Sequence, residues 1–175
     1  MKKIFIIVCN PKKESFSDAI LQSYISGAEK SNNKIRHINV YNLEVEYYNF
    51  NNDLTDELKQ FQANIFWADE LVFIYPVWCL SIPAKLKSII ERTFQINGEP
   101  IRDLKGKTAV IIQTYGMPVF IMKYFMGDLP FKLMQGLFRF CAIKVKKRFD
   151  FGQVANLPQE KHTKWLKKIE NYASR

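Results

Sequence analysis

Three stretches of this 175-residue chain set residue types that can hold charge or flat apolar groups beside short apolar runs. In Asn10-Pro11-Lys12-Lys13-Glu14-Ser15-Phe16-Ser17, two hydroxyls and two lysines stand on the threshold of a helix. Free backbone N–H groups and the helix dipole favour a phosphate there; taken alone, Ser15 or Ser17 reads more simply as a helix cap. Pro76-Val77-Trp78-Cys79-Leu80-Ser81 is too apolar for an ordinary solvated loop, so a flat or apolar group is expected to cover it. Its backbone N–H groups and the face of Trp78 suit an aromatic ring system. Thr114-Tyr115-Gly116-Met117-Pro118 could approach from the other side. A ligand with a phosphate at one end and a planar heteroaromatic ring at the other satisfies all three, and flavin mononucleotide (FMN) is the most economical candidate.

These loops need a scaffold that brings them together. Residues 3–9 form a first strand, a continuous apolar run of the kind found in sheets covered on both faces. Ser17-Asp18 opens a helix whose inner face is Ala19, Ile20, Tyr24 and Ala28. Residues 34–41 alternate and predict a second strand near an edge, with His37 on the surface. Residues 42–53 read as a loop, and Thr55 caps the helix that follows. Residues 71–75 form the third strand, closed by Pro76. Ser81 caps a helix with Pro83 in its first turn and Ile82, Leu86, Ile89, Ile90 and Phe94 on its inner face. Asn97-Gly98-Glu99-Pro100 is a turn, and residues 108–113 make the fourth strand. Residues 119–140 are apolar but broken by Lys123, Gly127-Asp128 and Pro130 into two short helical pieces, with Phe120, Met122, Tyr124, Phe125 and Met126 suiting a core or a dimer face. Residues 142–151 give a fifth strand with basic outer positions. Residues 158–173 close the chain as a helix packing Trp165, Leu166, Ile169 and Tyr172 inward, with His162 on its surface.

Strands alternating with helices predict one doubly wound α/β domain over residues 1–175, a three-layer sandwich on a five-stranded parallel sheet in the order 2-1-3-4-5. The loop Cys9–Ser17 after the first strand has no glycine and no Walker lysine motif occurs, which argues against dinucleotide-type and triphosphate-hydrolysing sites. The net charge of +9, from 26 Lys and Arg against 17 Asp and Glu, is spread along the chain and lacks a nucleic-acid signature. Cys9, Cys79 and Cys141 are too far apart for zinc or thioredoxin-type spacing and suit a reducing compartment; Cys9 and Cys141 read as buried thiols and Cys79 as the exception. The start of the chain mimics a signal peptide, but its apolar run is too short, and no stretch reaches membrane-span length, so a cytoplasmic protein without nucleic-acid partner or metal site is expected.

Over nearly its full length the chain resembles the flavodoxin-like NAD(P)H-dependent oxidoreductases of the quinone reductase (Flavodoxin_2) family. Asn10-Pro11 with Ser15-Phe16-Ser17 is similar to the family's phosphate loop, and residues 76–87 with Glu91-Arg92-Thr93-Phe94 to its central signature. The resemblance implies a noncovalent flavin, FMN favoured over FAD by the short chain, with Asn10, Ser15, Phe16 and Ser17 around the phosphate. Pro76, Val77, Trp78, Cys79 and Leu80 would line the ring, with Thr114, Tyr115 and Gly116 opposite. It also implies NAD(P)H as co-substrate, a quinone or similar small electrophile as acceptor, and a homodimer whose active sites border the interface. Asn10 stands where the family usually has His, Cys79 where an aromatic residue is common, and no His occurs between His37 and His162 to assist quinone reduction. Tyr115 or Tyr124 is left as the candidate donor to an acceptor oxygen, and backbone N–H groups near Trp78 and Cys79 as the polar partners of the ring. Two other readings are a one-electron flavodoxin-type carrier, which is usually acidic, and a non-enzymatic regulatory partner of a transport system; flavin binding separates the latter from the enzyme.

Overall fold

Unbroken β-branched and aromatic runs such as Ile4-Phe5-Ile6-Ile7-Val8 can be buried on both faces, and that is how the chain uses them. The computed structural model of the protein describes residues 1–45, 53–96 and 99–175. In chain order the elements are β1 (Lys3–Val8), α1 (Phe16–Glu29), β2 (Lys34–Asn39), α2 (Asp56–Trp67), β3 (Glu70–Pro76), α3 (Ala84–Thr93), β4 (Gln95–Ile96), β5 (Glu99–Pro100), β6 (Thr108–Thr114), α4 (Leu129–Phe140), β7 (Lys144–Phe151) and α5 (Gln159–Ala173). The main sheet runs β2-β1-β3-β6-β7 with every pairing parallel, so its strands stand in the expected order. β4 and β5 pair antiparallel in a small separate ribbon that the sequence reading did not foresee. The Asn97-Gly98 turn and most of the loop expected at 42–53 lie outside the described residues.

Alternation along the strands divides the core in two. Phe5, Ile7, Leu71 and Phe73 pack with Phe61 of α2, Ile89 of α3 and Phe138 of α4. Ile4, Ile6, Val72 and Ile74 pack on the opposite face with Ile20 and Tyr24 of α1 and Ile169 of α5. The outer strands β2 and β7 are only half-buried, and β7 carries a bulge where the register jumps from Ala109–Val145 to Val110–Lys147. The extra residue, Lys146, reaches the buried Glu70 carboxylate at 3.2 Å, which also accepts from Tyr24 Oη at 2.8 Å.

Several element ends differ from expectation for local reasons. α1 starts at Phe16 because Ser15 and Asp18 close a capping box; Leu21 and Gly27 join its buried face, while Ala19 is only half-buried. Ser81 does not cap α3: its N–H and C=O pair with those of Trp78, and the helix starts at Ala84 behind Pro83. β7 begins at Lys144 because Ala142 ends α4 in the left-handed region at φ 57°, with the Ile143 N–H bonded to Phe138 O and the Ala142 N–H to Arg139 O, a Schellman motif. The broken stretch before it is a π-helical turn, Ile121–Phe125, followed by the twelve-residue α4 with Pro130 in its first turn.

Candidate functional site

Neighbouring strands in a parallel sheet end at the same level, so the loops after β1, β3 and β6 meet at one edge of the molecule. Asn10 organises the first of them. Its Oδ1 accepts from the Lys12 N–H at 3.0 Å, its Nδ2 donates to Ser17 Oγ at 3.2 Å, and its carbonyl accepts from Asn39 Nδ2 at 2.9 Å. The Ser15 hydroxyl is engaged by the cap, donating to Asp18 Oδ2 at 2.8 Å and accepting from the Asp18 N–H. Ser17 Oγ keeps its own proton to donate, and among the described residues the amides of Phe16 and Ser17 have no protein partner. Lys12 is exposed beside them.

These groups open onto a cleft of about 450 Å³, within the range of small-ligand sites. Of the residues singled out from the sequence, Asn10, Ser15, Phe16, Ser17, Pro76 and Thr114 line it. Lys12, Glu14 and Ala19 complete that side, and the facing wall comes from a segment to which the sequence pattern gave no part in the site: Val154, Ala155, Gln159, His162 and Leu166. His162 is therefore not a simple surface residue. Its ring lies 4.6 Å from that of Phe16, and its Nε2 is 2.9 Å from Val154 O. Nothing in its sequence surroundings marks it, because the contact depends on α5 folding back over the start of α1.

The second loop is a tight hairpin. Trp78 and Ser81 exchange backbone hydrogen bonds of 3.1 and 2.9 Å, and the two residues between them, Cys79 and Leu80, both take left-handed conformations at φ 47° and 61°. A turn with both central residues at positive φ favours Asn-Gly, and bulky L-residues there are strained by about 1–2 kcal/mol each. Strain of this kind is kept where a surface must be held in one shape. It presents Cys79 and Trp78 outward, with Leu80 half-buried; Val77 packs inward and donates to Thr114 O at 2.8 Å. The Trp78 amide is engaged by Ser81, so the N–H groups expected near Trp78 and Cys79 are left to Cys79 and Leu80 at the turn. Trp78 is 41% exposed and meets Tyr41 edge-on at 6.4 Å.

The third loop is tied to the segment after β7: Val154 N–H bonds Tyr115 O, Gln153 N–H bonds Met117 O, and Gly152 lies so close that a Cβ there would come 2.8 Å from Met117 O. Gly116 faces open space. Tyr115 is buried, its hydroxyl donating to Asp150 Oδ1 at 2.9 Å; burial, and then Asp150, push its pKa well above the ordinary tyrosine value. Arg148 pairs with both Asp128 and Asp150 and covers the Phe131 ring at 4.0 Å. Burial pulls the Arg148 pKa down, but its bonds to the two carboxylates outweigh that and hold it above the ordinary value. Tyr124, by contrast, is 81% exposed on the π-helical turn. Cys9 and Cys141 are buried and Cys79 is exposed. Among the described residues no cluster of His, Cys, Asp and Glu could hold a metal ion, and no helix is long and apolar enough to cross a membrane.

Fold and site together define a doubly wound domain with a cleft at the start of α1 and an apolar hairpin at the carboxyl edge of its sheet. The chain belongs to the flavodoxin-like fold family Flavodoxin_2, whose family model matches residues 2–175. A curated relative from Haemophilus influenzae, described as an uncharacterized NAD(P)H oxidoreductase, is 32% identical over 119 residues, 62% of this chain and 59% of that one. The chain spans about half the length of the curated relatives it matches. Among solved structures, Smu.1420 from Streptococcus mutans UA159 is similar at a TM-score of 0.84 and 24% identity, covering 98% of both chains. An FMN-dependent NADH-azoreductase from Bacillus anthracis, solved in complex with FMN, is similar at a TM-score of 0.78 and 20% identity, covering 99% of this chain and 98% of that one. At these identities the likeness to the solved structures is one of fold.

Proposed function

We propose that the protein is a flavin-dependent NAD(P)H oxidoreductase that holds FMN without a covalent bond and reduces a quinone or a similar small electrophile. The observation that carries this reading is the pairing of an anion cleft with a strained apolar hairpin on adjacent strand ends. The cleft supplies the free amides of Phe16 and Ser17, the Ser17 hydroxyl and Lys12, a donor set that suits a phosphate. Trp78, Cys79 and Leu80 would border the ring system, with Pro76, Thr114 and Gly116 between the two. FMN is proposed rather than FAD, a choice that the FMN-dependent azoreductase neighbour supports. A bound flavin would supply the redox chemistry, two-electron hydride transfer between a nicotinamide and the acceptor.

The chain's own residues bind and orient. The capping box at Ser15 and the Asn10 bonds keep the α1 amides pointed at one place, and the hairpin keeps Cys79 N–H available beside the ring. Of Tyr115 and Tyr124, Tyr124 is the one whose hydroxyl would be free to donate to an acceptor oxygen. Tyr115, engaged by Asp150, would act by holding the third loop in position. The relative described as an NAD(P)H oxidoreductase and the FMN-dependent azoreductase neighbour support the reading.

A homodimer is part of the proposal. Phe120, Tyr124, Phe125, Leu129, Leu133 and Phe140 are exposed together, next to an apolar groove of about 460 Å³ between α3 and α4. A second copy would cover that face beside the third loop. The setting proposed is the cytoplasm, without nucleic acid.

The experiment is a visible spectrum of the purified protein with FMN, followed by anaerobic NADH or NADPH. Bound-flavin absorbance that bleaches with either reductant is the expected result. Absence of binding at saturating FMN removes the reading and favours a regulatory partner built on the same fold.

A further inference from the structure

Two helix N-termini meet at the cleft: that of α1, with the amides of Phe16 and Ser17, and that of α5, which brings Gln159 and His162. Both positive ends favour an anion and disfavour an imidazolium that has no anion beside it. His162 is half-buried between them, its Nε2 2.9 Å from Val154 O and its ring tilted by 31° over Phe16 at 4.6 Å. A carbonyl oxygen has no proton to offer, so Nε2 carries the hydrogen and Nδ1 is the nitrogen left to accept a second one. The Phe16 face beneath the ring favours the charged form once that proton arrives.

We infer that His162 is a phosphate-binding residue of this cleft, its imidazolium joining the α1 N-terminus around the phosphate of the bound flavin nucleotide, so that phosphate binding and proton uptake are linked. The inference rests on the flavin reading above and deepens it: the share of phosphorylated-flavin recognition that His162 carries grows as the imidazole takes up its second proton.

The other charges around the imidazole do not replace it. Lys12 and Glu14, of opposite sign, reach the cleft from the β1–α1 loop. The Asp18 carboxylate is taken by the Ser15 N–H and hydroxyl. On α5, Glu160 pairs with Lys164 at 2.6 Å and Lys161 lies over Trp165 at 5.9 Å. The segment after β7 contributes Val154 and Ala155, without charge, and Thr114 and Pro76 add none.

The chain has two histidines, His37 and His162, so both imidazoles can be followed by NMR and assigned with a His162→Gln variant. FMN is expected to raise the His162 titration midpoint by about one pH unit and to leave His37 where it is; by linkage, the protonated protein then binds FMN about tenfold more tightly. FMN dissociation constants, read from flavin fluorescence, supply the reciprocal measurement. The phosphate's own second ionisation, near about pH 6, weakens binding on acidification in both proteins. The ratio of variant to wild-type dissociation constants isolates His162, and it should rise about tenfold between about pH 8 and about pH 5.5. Riboflavin, which has no phosphate, should show a flat ratio. If both proteins bind FMN, yet the ratio is flat and the His162 midpoint does not move, the inference is overturned and the flavin reading stands. If neither protein binds FMN, both are overturned.

Discussion

Gly27 is where α1 and α5 approach most closely, and Gly27→Ala tests how rigid that contact is. A Cβ at this position would lie 2.2 Å from Glu170 O and 2.8 Å from Ala173 Cβ, where ordinary contact begins at 3.4 Å. The helices would therefore have to part by about 1 Å, against a backbone oxygen that has no rotamer to escape into. α5 is not free to move away: Ile169 and Ala173 are buried, Ser31 Oγ donates to Ser174 O at 2.8 Å, and Lys30 and Ser26 both bond Glu170. Overpacking of this kind costs about 3 kcal/mol at its upper end, whereas alanine in place of glycine inside a helix returns about 1 kcal/mol. The balance is a destabilisation of about 2 kcal/mol, or about 4–8 °C in Tm for a chain of this size. Thermal unfolding followed by far-UV circular dichroism reads it directly. FMN affinity should fall as well, because α5 carries Gln159 and His162 into the cleft. A variant that melts at or above the wild-type temperature would refute the reasoning, since helix propensity would then have outweighed packing.

Other perturbations follow from the same geometry. Arg148→Met removes the guanidinium that joins Asp128 to Asp150, leaving Asp150 with Lys123 and the Tyr115 hydroxyl but Asp128 without its ion pair, and urea unfolding should show a loss of about 3 kcal/mol; a loss under about 1 kcal/mol would mean the network is effectively solvated. Trp78→Ala should change stability by less than about 1 kcal/mol, because the side chain is 41% exposed, yet weaken FMN binding about three- to tenfold; an unchanged dissociation constant would remove Trp78 from the ring contact. In the native protein a thiol reagent should modify Cys79 alone, with Cys9 and Cys141 reacting only after unfolding. Burial pushes the Cys9 thiol from 9.0 up to about 12. Its contribution to stability is therefore fully present below about pH 9 and is lost as pH rises from 9 towards 12, by about 1.4 kcal/mol at pH 10. Urea titrations at about pH 8 and about pH 10 should show a smaller alkaline loss for Cys9→Ala than for the wild type.

Local patterns made much of the fold readable. Ile4 to Val8 and Leu71 to Tyr75 are short, β-branched and apolar on both faces, which leaves a central parallel strand as their natural place, and the half-polar pattern around Arg36 and His37 belongs at an edge. Thr55 caps α2 as its position before two acids implies. The errors fall where two local signals compete. Ser15 and Ser17 are both possible caps, and the Asp18 side chain decides for Ser15. Ser81 stands at a plausible cap position, but the hairpin takes its backbone first. Cys79-Leu80 carries none of the usual turn residues, so its left-handed pair could not be read from composition.

Hydrophobic period and chain direction are enough to read the layer architecture and the three loops at one end, because they settle which runs are buried and where they finish; the strand order rests on the missing glycine fingerprint after β1. What completes the cleft depends on how distant segments dock. His162 reaches Phe16 and Gln159 reaches the cleft because α5 docks on α1 through Gly27, Val154 is held there by its bond to Tyr115 O, and Tyr115 turns from a candidate donor into a held residue because β7 places Asp150 and Arg148 beside it. Contacts between residues far apart in the chain depend on how packed helices and strands are registered, and no local pattern encodes that register.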